Sequence, residues 1–274
     1  MNRSGAFLPL SVETIFRSRA TITSHAAKEE MLASTLEWQM DPKFENLMNA
    51  LWDRRINRVT KVIAFGLGSI TARTRRREHQ KEHALAMSIA RSIRSRNPNN
   101  PIPIYVQDPD YNDVDKEVLA YFDFQVVEGH GAAGFAMVDP NTFVLAHNAN
   151  FPVREIIADI VRPAAMYWKP TIPQAQHDEN RAFAVHARDV DSVRTRQMMA
   201  NYNHVPIQGS SLSRYPFYDF YDRCRGPWLR GEVFSNSTLY IRKSLPPPAK
   251  TPARRRRRAH SNLVGPGRRR RRNI

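Results

Sequence analysis

Cysteine is almost absent, since Cys224 stands alone in 274 residues. One thiol cannot build an internal disulfide framework or a cysteine-rich zinc module, and it fits a reducing compartment. Long apolar runs are missing too: no stretch approaches the roughly 18 apolar residues of a membrane span. Met1 to Ser24 holds scattered arginine and no apolar core of a secretory signal. The expectation is a soluble, intracellular chain with no membrane partner. Acidic residues are missing from one region only. Pro246 to Ile274 carries eleven basic residues and no acidic one, so of the net +16 only +5 belongs to residues 1–245. A mildly basic body with a strongly basic tail is therefore expected, and the overall charge does not by itself make the body a nucleic-acid binder. Signatures of several enzyme classes are absent as well: there is no G-x-S-x-G, no P-loop and no nucleophile–base pairing in the pattern.

What is there is alternation. Ala26 to Arg55 has helical periodicity in two pieces broken at Pro42, with Phe44, Leu47, Met48, Leu51 and Trp52 on one stripe. Lys61 to Gly66 is a short apolar run ending in glycine, as buried parallel strands do. A helical pattern runs from there to Arg96 and is stopped by Asn97-Pro98. Ile104 to Val106, Gln125 to Val127, Thr142 to Ala146 and Ala165 to Trp168 read as further strands. Between them, helices are expected after Asn112 or Asp113 and after Asn150 and Pro152, the latter with a stripe of Val153, Ile156, Ile157, Ile160 and Val161. The third-to-fourth connection is short for a crossover and has room for one helical turn. Val185 to Met199 is amphipathic, and Val205 to Ile207 with Ser237 to Arg242 reads as an antiparallel pair at a sheet edge. Such alternation predicts a Rossmann-like, mostly parallel α/β sheet of about five strands with helices on both faces. Residues 1–25 lack periodicity and are expected to be disordered. The domain is expected over 26–245, with its core at 60–170, and the Pro/Arg-rich residues 246–274 are expected to be disordered.

Phe65-Gly66-Leu67-Gly68-Ser69, Gln107-Asp108-Pro109 with Tyr111, and Gly134-Phe135 with Val138-Asp139 recur in a fixed order, followed by the block from Pro152 to Ala164. In that combination the chain resembles the sensitivity-to-red-light-reduced family, and its N-terminal helix and terminal Leu-Tyr-Ile-Arg-Lys resemble the fungal branch. The resemblance implies a Rossmann-like domain and a regulatory role. Relatives are associated with light signalling and the circadian clock in plants, and with cytoskeletal, proteostasis or haem-related phenotypes elsewhere. It implies no particular reaction, and the arginine-rich tail is outside its pattern.

Several residues are candidates for a site. Gly66, Gly68 and Ser69 follow the first strand, where glycines let a backbone approach a ligand and a helix N-terminus offers N–H groups. The dinucleotide fingerprint needs a third glycine where Thr71 stands. Asp108 ends the second strand, where a carboxylate can hold a ribose hydroxyl. Together these suggest a nucleotide- or S-adenosylmethionine-type cofactor, although a tight turn and a loop cap account for the same residues without one. No cofactor is specified by the pattern. His147, with Asn148 and Asn150, follows the fourth strand at the edge where α/β proteins bind ligands. His79-Gln80-Lys81-Glu82-His83 matches H-x-x-E-H, but Arg75, Arg76, Arg77 and Lys81 around it repel a dication, so a solvated polar helix face is expected and no metal. Asp159 and Arg162 are expected to form a surface pair. Cys224 between Arg223 and Arg225 reads as a free thiol. The tail carries Arg254, Arg255, Arg256, Arg257 and Arg258, then Arg268, Arg269, Arg270, Arg271 and Arg272. Such runs suit import machinery, hence nucleus and cytoplasm, or salt-dependent contact with nucleic acid. The leading expectation is a regulatory protein acting through protein partners. The alternatives are a methyltransferase-like enzyme and a nucleic-acid binder working through the tail.

Overall fold

The computed structural model describes residues 20–96, 98–128, 131–147, 149, 151–171, 192–207 and 237–243. Expectations for the first nineteen residues, Asn148, Asn150, the aromatic loop around Cys224 and the arginine-rich tail fall outside them.

Two helices lead in. α1 (Ser24–Gln39) starts where the Thr23 hydroxyl accepts from the Ala26 N–H, and α2 (Pro42–Ala50) where Asp41 accepts from Lys43 N–H, with Pro42 pre-set for the first turn. A 3₁₀ turn (Arg54–Arg58) then delivers the chain to β1 (Lys61–Phe65). There follow α3 (Arg76–Ser95), β2 (Ile104–Gln107), α4 (Asp113–Tyr121), β3 (Phe124–Val126), the single turn α5 (Ala133–Ala136), β4 (Thr142–Ala146), α6 (Val153–Ile160) and β5 (Ala165–Trp168). Two further strands, β6 (Tyr202–Ile207) and β7 (Ser237–Arg242), follow α7 (Val193–Met199).

The seven strands form one sheet in the order β3-β2-β1-β4-β5-β7-β6. β1 to β5 are mutually parallel, with Val62 opposite Ile104 on one side and Phe143 on the other. β7 runs against both β5 and β6. The expected antiparallel pair is therefore present, and β6 lies at the edge. Alternate residues of each strand enter two cores. Val62 and Ala64 meet α1 to α4, while Ile63 and Phe65 meet the α5, α6 and α7 side. On the first face α1 lies over α3, fastened by buried Trp38, whose Nε1–H donates to Ser88 Oγ at 3.2 Å.

Local chemistry explains where the sequence reading needed adjustment. Asn112, rather than Asp113, caps α4, in a reciprocal capping box with Asp115. β3 begins one residue early, because Phe124 is the buried side chain of that short strand. α6 has Pro152 at its N-cap and no side-chain cap, and its inward face includes Arg154 while Ile160 is 52% exposed. An eight-residue helix cannot bury all of so wide an apolar stripe. Asp159 pairs with Arg194 of α7 at 2.5 Å, and Arg162 instead donates to the Ala158 carbonyl at the helix end.

Candidate functional site

In a doubly wound sheet the crevice for ligands opens above the carboxyl ends of the two strands where the order reverses, here β1 and β4. Gly66, Gly68 and Ser69 lie there after β1, and His147 and Ala149 after β4. The loop does not run straight into a helix, because α3 begins only at Arg76, with Arg75 in the left-handed region at φ +57°. The expected helix N–H groups are therefore displaced from the glycine turn. Gly66 and Gly68 have φ of +67° and +77°, a conformation that disfavours side chains. Both are also closely approached. A Cβ on Gly66 would lie 2.7 Å from the Ala149 Cα, and one on Gly68 would lie 2.6 Å from the His79 ring. The glycines thus admit this chain's own groups.

Asp108 faces the same turn. Its Oδ2 accepts from the Gly68 N–H at 2.7 Å and its Oδ1 from the Asp110 N–H at 2.9 Å. Burial pushes its carboxyl up to about 6; the two N–H donors oppose this, and the nearby Asp110 and Asp115 charges add to it. The carboxylate a ribose would seek is already bonded to the loop. Deeper in, Asp115 is fully buried and accepts from the Thr71 N–H at 3.0 Å, the Thr71 hydroxyl at 2.8 Å and the Asn112 N–H at 3.0 Å. Thr71, standing where the fingerprint wants glycine, uses its side chain to tie the loop to the start of α4.

The H-x-x-E-H segment is not a solvated face. Gln80, Glu82 and His83 are buried, Gln80 against Ser34 and Glu30 of α1 and His83 against Tyr111 and Phe124. His79 Nδ1–H donates to the Ser69 carbonyl at 2.8 Å. His83 Nδ1–H donates to the His79 carbonyl at 2.7 Å, which leaves Nε2 to accept from the Tyr111 hydroxyl at 2.8 Å. Burial pushes the His83 imidazole down to about 3, so it is neutral at physiological pH. Among the described residues no group of three His, Cys, Asp or Glu side chains is placed to hold a metal ion.

The other face of the crevice is aromatic. Phe135 stacks on Phe65 at 4.4 Å, and Phe151 meets both edge-on. The Gln107 side chain accepts from the Gly134 N–H at 3.0 Å, holding α5 beneath. His147 is buried further along the edge, its Nδ1 3.2 Å from Ser237 Oγ at the start of β7 and its ring stacked at 6.5 Å on Tyr167. The structure thus brings Gly66, Gly68, Ser69 and Asp108 together and places His147 with Tyr167 and Ser237. Sequence reading noted His79 and Thr71 without these roles and missed Asp115. The signal available for the last was the Asn112-x-x-Asp115 capping spacing. A cleft of about 460 Å³ lies at the opposite edge, between Arg91 and Arg94 of α3 and Ile102, Phe122 and Phe124.

The order β3-β2-β1-β4-β5 with helices on both faces defines a Rossmann-like α/β protein. A sequence profile of the SRR1 domain matches residues 29–169, from α1 to the end of β5 and just over half of the chain. The chain belongs to the SRR1 domain family. No curated protein sequence matches it. No described helix is long and apolar enough to cross a membrane.

Proposed function

We propose that this SRR1-domain protein is regulatory and acts through protein partners, without a nucleotide-type cofactor at the turn after β1. The observation supporting this reading is that Asp108 already accepts the Gly68 N–H at 2.7 Å while the His79 ring sits against Gly68. Light- or clock-linked and stress-linked signalling is the kind of role that the family resemblance suggests. Calorimetric titration of the full chain with S-adenosylmethionine, NAD and ATP is expected to give no binding heat. Tight binding of any of them, lost in Asp108→Ala, would overturn the reading.

One observation favours a second reading, a methyltransferase-like enzyme. β7 runs reversed between β5 and β6, an order that methyltransferase-like sheets also use. S-adenosylmethionine binding in the same titration is the outcome that separates the two.

We further propose residence in nucleus and cytoplasm, with Arg254 to Arg258 and Arg268 to Arg272 as the import element. A fluorescent fusion ending before Pro246 is expected to lose nuclear accumulation. If it accumulates like the full chain, the tail is not that element, and direct tail contact with nucleic acid becomes the reading to measure.

A further inference from the structure

The sheet edge opposite the glycine turn has a distinct character. Strands β1 to β5 begin there and the crossover helices end there, so residues distant in sequence converge. Arg96 follows α3, Arg162 follows α6, and Arg242 and Lys243 end the reversed β7. Arg54, Arg55 and Arg58 lie in the 3₁₀ turn before β1. They form a connected series. Arg96 Nη1 reaches the Asp53 carbonyl at 3.4 Å, and Arg55 holds the Asp53 carboxylate through two bonds of 2.9 and 2.5 Å. Arg58 donates to the Arg55 carbonyl at 3.0 Å, and Arg242 to the carbonyls of Arg162 at 2.5 Å and Pro140 at 3.0 Å. Burial, then the charges of Arg242 and Arg55, hold the Arg58 guanidinium below its usual range, with the Asp53 charge opposing them.

Among the described residues, ion pairs offset only part of this charge. Asp53 and Asp139 at this edge are taken by Arg55 and Lys61. None of Arg54, Arg58, Arg96, Arg162, Arg242 and Lys243 has an ion pair with a carboxylate among the described residues. The hydrogen-bond partners of Arg58, Arg96, Arg162 and Arg242 among the described residues are backbone carbonyls, which carry no formal charge. Arg96 Nε and Nη2 and Arg242 Nε, all buried, have no hydrogen-bond partner among the described residues. Complementing helix dipoles accounts for Arg96 and Arg162 at helix ends. It does not account for Arg54 or Arg242, and it leaves Trp52 unexplained. That indole is 66% exposed beside the series, with the Arg96 guanidinium 5.8 Å from its ring centroid.

Forked guanidinium donors suit phosphate oxygens. An exposed aromatic ring among such donors suits an unpaired base, since stacking needs only a π-face. We propose that this edge, from Trp52 and Arg96 through Arg58 and Arg242 to Arg162, binds single-stranded nucleic acid. The arginines lie along phosphates and the Trp52 indole stacks on a base. The binding is separate from the tail and from the glycine turn, so it stands whether or not a cofactor occupies that turn.

The test uses the full-length chain with all ten arginines of the two tail runs replaced by serine. Anisotropy of a fluorescein-labelled oligouridylate of roughly 16 nucleotides, within the site sizes of single-strand binders, is read over a salt series. Binding is expected to persist. Trp52→Ala is expected to weaken it roughly five- to a hundredfold without changing the salt slope, and Trp52→Phe to restore most of it. Arg54→Ser, at an exposed side chain, is expected to lower the slope by about 0.7. Thermal melting checks that each variant is folded, and Trp52→Gln repeats the ring removal should the alanine variant not fold. Loss of all binding on neutralising the tail overturns the proposal, as does a folded Trp52→Ala variant that binds as tightly as its parent, or a Trp52→Phe variant that binds as weakly as Trp52→Ala. Tighter binding to phosphatidylserine vesicles than to the oligonucleotide overturns it in favour of a membrane surface.

Discussion

Gly66→Ala is expected to destabilise the domain by about 2–5 kcal/mol, combining the left-handed strain of a residue with a Cβ and the displacement of close neighbours. The new methyl would meet the Ala149 Cα at 2.7 Å, and backbone cannot rotate away as a side chain can. Moving Ala149 also disturbs Phe151 and the start of α6. In thermal melting the midpoint is expected to fall by roughly 5–15 °C for a domain of this size. Gly68→Ala is the informative companion. Its obstacle is the His79 ring, 2.6 Å from the added atom, so Gly68→Ala combined with His79→Ala is expected to cost less than the two single changes added together. Additive costs would show that the ring is not what excludes a side chain from position 68.

Asp115→Ala is expected to cost about 3–5 kcal/mol, because it leaves buried donors unpaired and removes a helix cap at once. Its carboxylate serves the Thr71 N–H and hydroxyl on one element and the Asn112 N–H on another. Asp115→Asn should recover only part of this, since its Nδ2 would present a donor where a second acceptor is needed. Denaturant unfolding should show a lower midpoint with an unchanged slope, and hydrogen exchange at the Thr71 amide should accelerate by orders of magnitude. If that amide remains protected in the alanine variant, Asp115 is not what pins the loop.

The architecture was legible where burial and period agree. β1, β4, β5 and β7 are strands of continuous apolar or β-branched character between clear breakers, and their expected positions hold. The one-turn connection before β4 followed from its length alone. The site was less legible, for physical reasons. Arg75 to Lys81 looks like a polar surface, yet Glu30 and Glu37 of α1 pair with Arg76 and Arg77 and let the helix beneath be buried. Nothing local in His79-Gln80-Lys81-Glu82-His83 reveals that α1 crosses above it. Likewise, Asp108 at a strand end is the same residue whether it awaits a ribose or bonds Gly68. Only the fold distinguishes the two.

The late strand β7 has a consequence for order of assembly. Along the described chain β6 is bonded to β7 and to no other strand. Until Ser237–Arg242 arrives, β6 therefore has no ladder to join, although it was synthesised some thirty residues earlier, seconds before at ordinary ribosomal speed. During that interval the β5 edge, with Met166, Tyr167 and Trp168, stands open to any passing strand. The last six residues of the sheet act as a latch. They fill a gap in its interior and enrol β6 in the same movement, so completion of this nascent protein is all-or-none at its carboxyl side.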